Sequence, residues 1–167
     1  MENAGWPKSL QFLQARCQLQ HNCTGVRRLT CHNGRVDTRS PAHILLTEDD
    51  PNVAAALSAA LQLLVVPEPR VIRCASAETA QALLALQPFD LLIADQCLPL
   101  MPGLDLLLYA HEHWPQMPSI LMTGYAAAHV EAAARRNGIP CLTKPFAVHS
   151  LIATVHQLLS FFACETR

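Results

Sequence analysis

Six polar residues stand at the ends of short apolar runs, and their types point to one chemistry. Glu48, Asp49 and Asp50 follow Ile44-Leu45-Leu46, Asp95 follows Leu91–Ala94, Thr123 follows Ser119–Met122, and Lys144 follows Cys141–Thr143. Carboxylates brought this close repel, and without a counter-charge some would take up protons. A hard divalent cation held by oxygen ligands removes that conflict, and Mg²⁺ commonly uses one or two carboxylates with phosphate oxygens. Lys144 supplies a mobile point charge for a carboxylate or a phosphoryl oxygen. Thr123 can donate a hydrogen bond to a phosphoryl oxygen. A nucleophile, a metal and donors for the equatorial oxygens are what phosphoryl transfer requires. Asp95 stands alone at its strand end and is the best nucleophile candidate.

These groups meet only if the runs that precede them lie side by side. Val53, Leu57, Leu61 and Leu64 follow helical spacing after Pro51, which suits a first helical turn behind an acidic cap. Val71–Ala75 reads as a second strand, and Ser76-x-x-Thr79 opens a helix that Pro88 closes. Gly103–His113 and Val130–Asn137 read as helices, the latter stopped at Gly138. Val148, Leu151, Ile152, Val155, Leu158, Leu159 and Phe162 form one apolar stripe on the last helix. Five apolar strands alternating with five helices predict an α/β fold, a doubly wound parallel sheet covered on both faces. Such a fold places its site outside the carboxyl ends of the strands.

Composition sets the wider limits. At 51% hydrophobic and 15% charged residues, the 167-residue chain is not a disordered polypeptide. Charge divides it near Ser40-Pro41. Residues 1–41 carry six bases against two acids, a net +4, whereas 42–167 carry six bases against eleven acids, a net −5. The first part reads as a poorly ordered basic extension and 42–164 as the folded unit. No run approaches the ~20 apolar residues of a membrane span, and no secretory signal is expected. Seven scattered cysteines read as reduced thiols of a cytoplasmic protein. Cys74, Cys97, Cys141 and Cys164 read as small hydrophobes.

Leu46-Thr47-Glu48-Asp49-Asp50-Pro51, Asp95-Gln96-Cys97-Leu98-Pro99-Leu100-Met101-Pro102-Gly103, Met122-Thr123-Gly124-Tyr125 and Thr143-Lys144-Pro145-Phe146 occur in that order. Over about 42–162 the chain resembles the response-regulator receiver domains of two-component signalling. The resemblance implies a five-stranded flavodoxin-like sheet with strand order 2-1-3-4-5. It implies that Asp95 accepts a phosphoryl group from the phosphohistidine of a histidine kinase or phosphotransfer protein. Asp49, Asp95 and the backbone carbonyl of Cys97 would hold Mg²⁺, Glu48 would act mainly through bound water, and Thr123 and Lys144 would contact the phosphoryl oxygens. Such a domain is a signalling phosphoacceptor, not a turnover enzyme: its chemistry is self-catalysed phosphoryl transfer and autodephosphorylation. Its response would pass to a downstream protein partner through the fourth helix, fifth strand and fifth helix, without nucleic acid or membrane.

Three departures from the family pattern matter, the last at a pair of positions. Pro102 replaces a usual acid and stiffens the loop after Asp95. Cys141 replaces the usual aromatic switch residue, which puts the threonine-plus-aromatic switch in doubt. Cys97 and Tyr125 occupy positions that tune autodephosphorylation, and Tyr125 is placed to shield the acyl phosphate. The first and second departures motivate an alternative, a receiver-like interaction scaffold that works without phosphorylation. A dehalogenase-like phosphatase needs an acid two residues after its nucleophile, where Cys97 stands. A zinc site from Cys17, Cys23, Cys31, His21 and His32 lacks a short Cys-x2-4-Cys knuckle. His111, His113, His129, His149 and His156 share no ligand spacing and read as solvent-facing.

Overall fold

The computed structural model describes residues 31–32, 35–36, 41–124 and 128–164. Two short strands, β1 (Cys31–His32) and β2 (Arg35–Val36), pair antiparallel ahead of the main unit. That unit alternates β3 (His43–Thr47), α1 (Pro51–Leu64), β4 (Arg70–Cys74), α2 (Ala77–Leu86), β5 (Leu91–Asp95) and α3 (Gly103–His113). It continues with β6 (Ser119–Thr123), α4 (Ala128–Arg136), β7 (Cys141–Thr143) and α5 (Val148–Cys164). The main sheet runs β4-β3-β5-β6-β7 with every pair parallel. Counted from β3, this is the predicted order 2-1-3-4-5.

Burial explains which strands are central. Every residue of β5 and β6 is buried, as are the last four of β3, while the edge strands β4 and β7 are partly open. Side chains alternate between the faces of a strand, so one sequence builds two cores. Leu45, Leu92 and Leu121 lie in the core under α2, α3 and α4 with Ala80, Leu107 and Ala134. Ile44, Leu46, Ile93 and Met122 lie in the core under α1 and α5 with Leu61, Leu151 and Val155.

Local chemistry sets the helix ends. Asp50 caps α1, its Oδ1 accepting from the Asn52 and Val53 amides at 2.8 and 3.2 Å, with Pro51 as first helical residue. Ser76 caps α2, its hydroxyl accepting from the Thr79 amide at 3.3 Å. Past the end of α4, Gly138 has φ 71°, a left-handed conformation that glycine adopts without penalty. The helix spans Ala128–Arg136, one or two residues earlier at each end than its periodicity predicted.

Other expectations need correction. Val148, the first member of the α5 stripe, is 42% exposed, because the stripe meets the core only from Leu151. Cys97 is exposed rather than packed. His111 and His156 are half-buried, while His113, His129 and His149 face solvent. Tyr125, the side chains of Phe162 and Cys164, and Cys17, His21 and Cys23 of the zinc reading lie outside the described residues or side chains.

The loop from β5 to α3 carries the main backbone strain. Leu100 has φ 65°, and the Met101 amide donates to the Pro99 carbonyl at 2.8 Å, a γ-turn centred on Leu100. The positive-φ form of this turn is rare and strained. A left-handed conformation costs an L-residue about 1–2 kcal/mol, and Leu100 is 94% exposed, so no burial offsets that cost. Leu100→Gly should therefore stabilise the fold by about 1 kcal/mol in urea denaturation; a loss of stability would show that the leucine side chain holds the loop.

Candidate functional site

Glu48 leaves β3 at the carboxyl edge of the sheet, its amide donating to the Cys74 carbonyl at 3.0 Å. That bond to β4 turns the glutamate inward, and it is only 4% exposed. Asp49, the next residue, points to solvent. Asp95 ends β5 at 5% exposure, and Thr123 ends β6 fully buried. Lys144 follows β7, its amide donating to the Thr123 carbonyl at 2.7 Å.

One ammonium joins the buried carboxylates. Lys144 Nζ lies 2.8 Å from Glu48 Oε2 and 2.8 Å from Asp95 Oδ1. Glu48 is thus a direct partner of the lysine. Its other oxygen, Oε1, accepts from the Asp50 amide at 3.4 Å. Asp95 Oδ2 accepts from the Cys97 amide at 3.2 Å. Asp95 Oδ1 is buried, and the Lys144 ammonium is its one partner among the described residues.

Glu48, Asp49 and Asp95 each offer an oxygen within 4.8 Å of the other two. Three carboxylates around one ammonium leave an excess of negative charge. With one oxygen from each carboxylate this close together, these residues fit a hard divalent cation. Burial holds the Glu48 carboxyl above its ordinary pKa, although Lys144 pulls it down. Burial pulls Lys144 down, yet hydrogen bonds and charge from Asp95 and Glu48 outweigh it and raise the ammonium above its usual range.

Two further residues position Asp95. The Gly103 amide donates to the Gln96 carbonyl at 3.1 Å, and the Leu104 amide donates to Gln96 Oε1 at 3.2 Å. Pro102 sits at the N-cap of α3 and offers no side-chain acceptor, so Gln96 does the capping from across the loop. A Cβ on Gly103 would collide with the Asp95 carbonyl oxygen and lie 2.7 Å from its carbon. Glycine at 103 thus lets α3 start directly against the backbone of Asp95. Neither role was legible in advance, although Gly103 opening a helix just past a proline was an available signal.

The site thus gathers Glu48, Asp49, Asp95, Thr123 and Lys144 at one edge. Cys97 follows, its amide turned to the Asp95 carboxylate. Cys141 lies outside this group, half-buried against the core under α4, where burial first and Glu131 second push its thiol pKa up.

A family model described as the response regulator receiver domain matches residues 44–156. The chain belongs to the response regulator receiver domain family. Among curated relatives of this receiver, the response regulator protein FleR of Pseudomonas aeruginosa is 36% identical over 115 residues. The match takes 68% of this chain and 24% of FleR. The hydrogenase transcriptional regulatory protein HoxA of Cupriavidus necator is 32% identical over 118 residues, 70% of this chain and 24% of HoxA. The chain thus spans about a quarter of the length of these relatives. The signal receiver domain of an HD domain-containing protein from Pseudomonas fluorescens superposes with TM-score 0.70 at 30% identity, covering 80% of this chain and 97% of that one. A CheY-like receiver from Methanospirillum hungatei gives TM-score 0.69 at 27% identity, covering 74% and 97%. The protein is a receiver domain of two-component signalling. Among the described residues, no helix is long and apolar enough to cross a membrane.

Lys144→Met should leave Glu48 buried and uncompensated, lowering stability at neutral pH by about 2–3 kcal/mol in chelator-containing buffer. Without the ammonium the Glu48 pKa rises further. An acid whose folded-state pKa is raised favours the fold where it is protonated, and that contribution is lost as pH rises through the folded pKa. The deficit should therefore shrink on acidification; denaturant melts at several pH values would read it, and a pH-independent deficit would contradict the assignment. Gly103→Ala should cost more than the few tenths of a kcal/mol usual at exposed sites, because backbone must move. Amide chemical shifts of Asp95–Cys97 should move with it, and unchanged shifts would contradict the close approach.

Proposed function

We propose that residues 42–164 form a receiver unit that takes a phosphoryl group on Asp95 from a phosphohistidine. The observation that carries this reading is the Lys144 ammonium 2.8 Å from both Glu48 and Asp95, two buried carboxylates beside which Asp49 offers a third oxygen. The Asp95 carboxylate attacks phosphorus in line with the donor. A P–O bond to Asp95 forms as the P–N bond to the donor imidazole breaks, and the departing nitrogen takes up a proton. Lys144 keeps its charge against the transferred oxygens, and the Thr123 hydroxyl donates to one of them.

Glu48, Asp49, Asp95 and the Cys97 carbonyl would hold Mg²⁺. When bound, Mg²⁺ neutralises the crowded carboxylates and the charge on the phosphoryl oxygens. Asp95 is the nucleophile of one self-limited transfer, and hydrolysis of the acyl phosphate returns the carboxylate.

The proposed donor is a histidine kinase or phosphotransfer protein in the cytoplasm. The proposed readout is a protein partner on the face formed by α4, β7 and α5, with the phosphoryl group shifting the population of two states. Nucleic-acid contact is not part of the proposal for this unit, since 42–167 carries a net −5. The transcriptional roles in the names of the relatives are those proteins' own.

Intact mass after incubation with Mg²⁺ and acetyl phosphate should show one added phosphoryl group. It should be absent in Asp95→Asn and when Mg²⁺ is chelated. If neither a phosphoryl group nor beryllofluoride binds, the phosphorylation-independent scaffold becomes the better reading.

A further inference from the structure

We propose that Leu100 is an apolar anchor for the protein that donates the phosphoryl group, displayed on the loop that leaves Asp95. The inference rests on the phosphoacceptor reading of Asp95 and names the surface its donor meets. Leu100 is 94% exposed and sits at the centre of a γ-turn with φ 65°. A glycine there would remove both the strain and the exposed leucine. Strain of this kind persists where the surrounding structure enforces it, and it concentrates at functional sites.

The surroundings do enforce it. The loop is closed at its base by the Gly103 amide on the Gln96 carbonyl at 3.1 Å. Leu98 is buried in the core under α3, and Met101 packs against the same core. Gln81 Nε2 lies 3.8 Å from Met101 Sδ. With Leu98 and Met101 drawn inward, Leu100 is turned outward on a short, pinned loop. Pro99 and Pro102, both exposed, flank the Leu100–Met101 pair and narrow its freedom further. A contact residue held this way loses little entropy when a partner covers it.

The position selects the occupant. Among the described residues, the exposed large hydrophobics are Leu63, Leu64, Val66, Leu86, Leu100 and Val148. The first four lie at or beyond the ends of α1 and α2, on the sheet edge away from Asp95. Leu100, on the loop after β5, and Val148, the first residue of α5, stand at the Asp95 edge. In transfer, a P–N bond of the donor breaks as a P–O bond to Asp95 forms, and the donor nitrogen takes up a proton. The donor imidazole must therefore approach Asp95 in line, and the surface that carries it must cover this edge. An apolar surface beside that imidazole would meet Leu100 and exclude water from the transfer. A small donor such as phosphoramidate has no such surface.

The test compares the two kinds of donor on the full chain. Wild type, Leu100→Gly and Leu100→Met are incubated with Mg²⁺ and phosphoramidate, and phosphorylation is read by intact mass. All three should be labelled at rates within about twofold. The same proteins are then offered to a panel of purified, autophosphorylated histidine kinases and histidine phosphotransfer proteins, using the fastest donor for wild type. Leu100→Gly should lose about tenfold or more in the second-order transfer rate, and Leu100→Met should retain most of it. Equal transfer to Leu100→Gly and wild type overturns the anchor. So does a wild type that phosphoramidate labels and no protein donor does. Failure of phosphoramidate on wild type instead strikes the phosphoacceptor reading itself.

Discussion

The molecule is organised around a charge imbalance that only its own topology can manage. Glu48 and Asp95 end adjacent strands with their carboxylates buried, and the ammonium that holds them comes from beyond β7. Neighbouring strands lie about 4.8 Å apart, so the lysine must cross the end of β6 to reach β5, a span of about 10 Å. Thr123, at the end of β6, is small enough to let it pass. The Lys144 amide bonded to the Thr123 carbonyl fixes where that crossing starts. A bulkier residue at the end of β6 would obstruct the lysine, and a different strand order would leave two buried carboxylates without it. The order β4-β3-β5-β6-β7 is thus also an electrostatic requirement.

The second constraint is mechanical and meets the first at Asp95. Its carbonyl is approached so closely by the start of α3 that position 103 has no room for a side chain. Gln96 spans the same junction, bonded to Gly103 by its backbone and to Leu104 by its side chain. The strand that ends in Asp95, the loop after it and α3 therefore form one connected piece. Pro102 at the N-cap gives up the acceptor that a polar cap residue would have offered, and Gln96 supplies it instead.

Much of this was legible in the sequence because its causes are local. Apolar runs of strand length, Asp50 before Pro51, Ser76 before Thr79 and Gly138 after a helix carry their signals within a few residues. The site residues were legible because each follows its run directly, and a parallel sheet collects such positions at one edge. What was missed depends on contacts across long separations. Glu48 and Lys144 are 96 positions apart, and nothing near either marks a direct ion pair. Gln96 as a cap, Gly103 as a point of close approach and the left-handed Leu100 depend on how α3 docks. The exposure of Val148 depends on where α5 meets the sheet, which periodicity alone does not fix.

The sheet also acts as a partition. Because alternate residues of β3, β5 and β6 enter different cores, Leu45 and Leu92 share no cluster with Ile44, Leu46 and Ile93. Energies of substitutions with no shared neighbours add. The layer under α2, α3 and α4 can therefore drift in sequence with little regard to the layer under α1 and α5. The residues bound to both histories are those of the shared edge, where neither layer can change without the other.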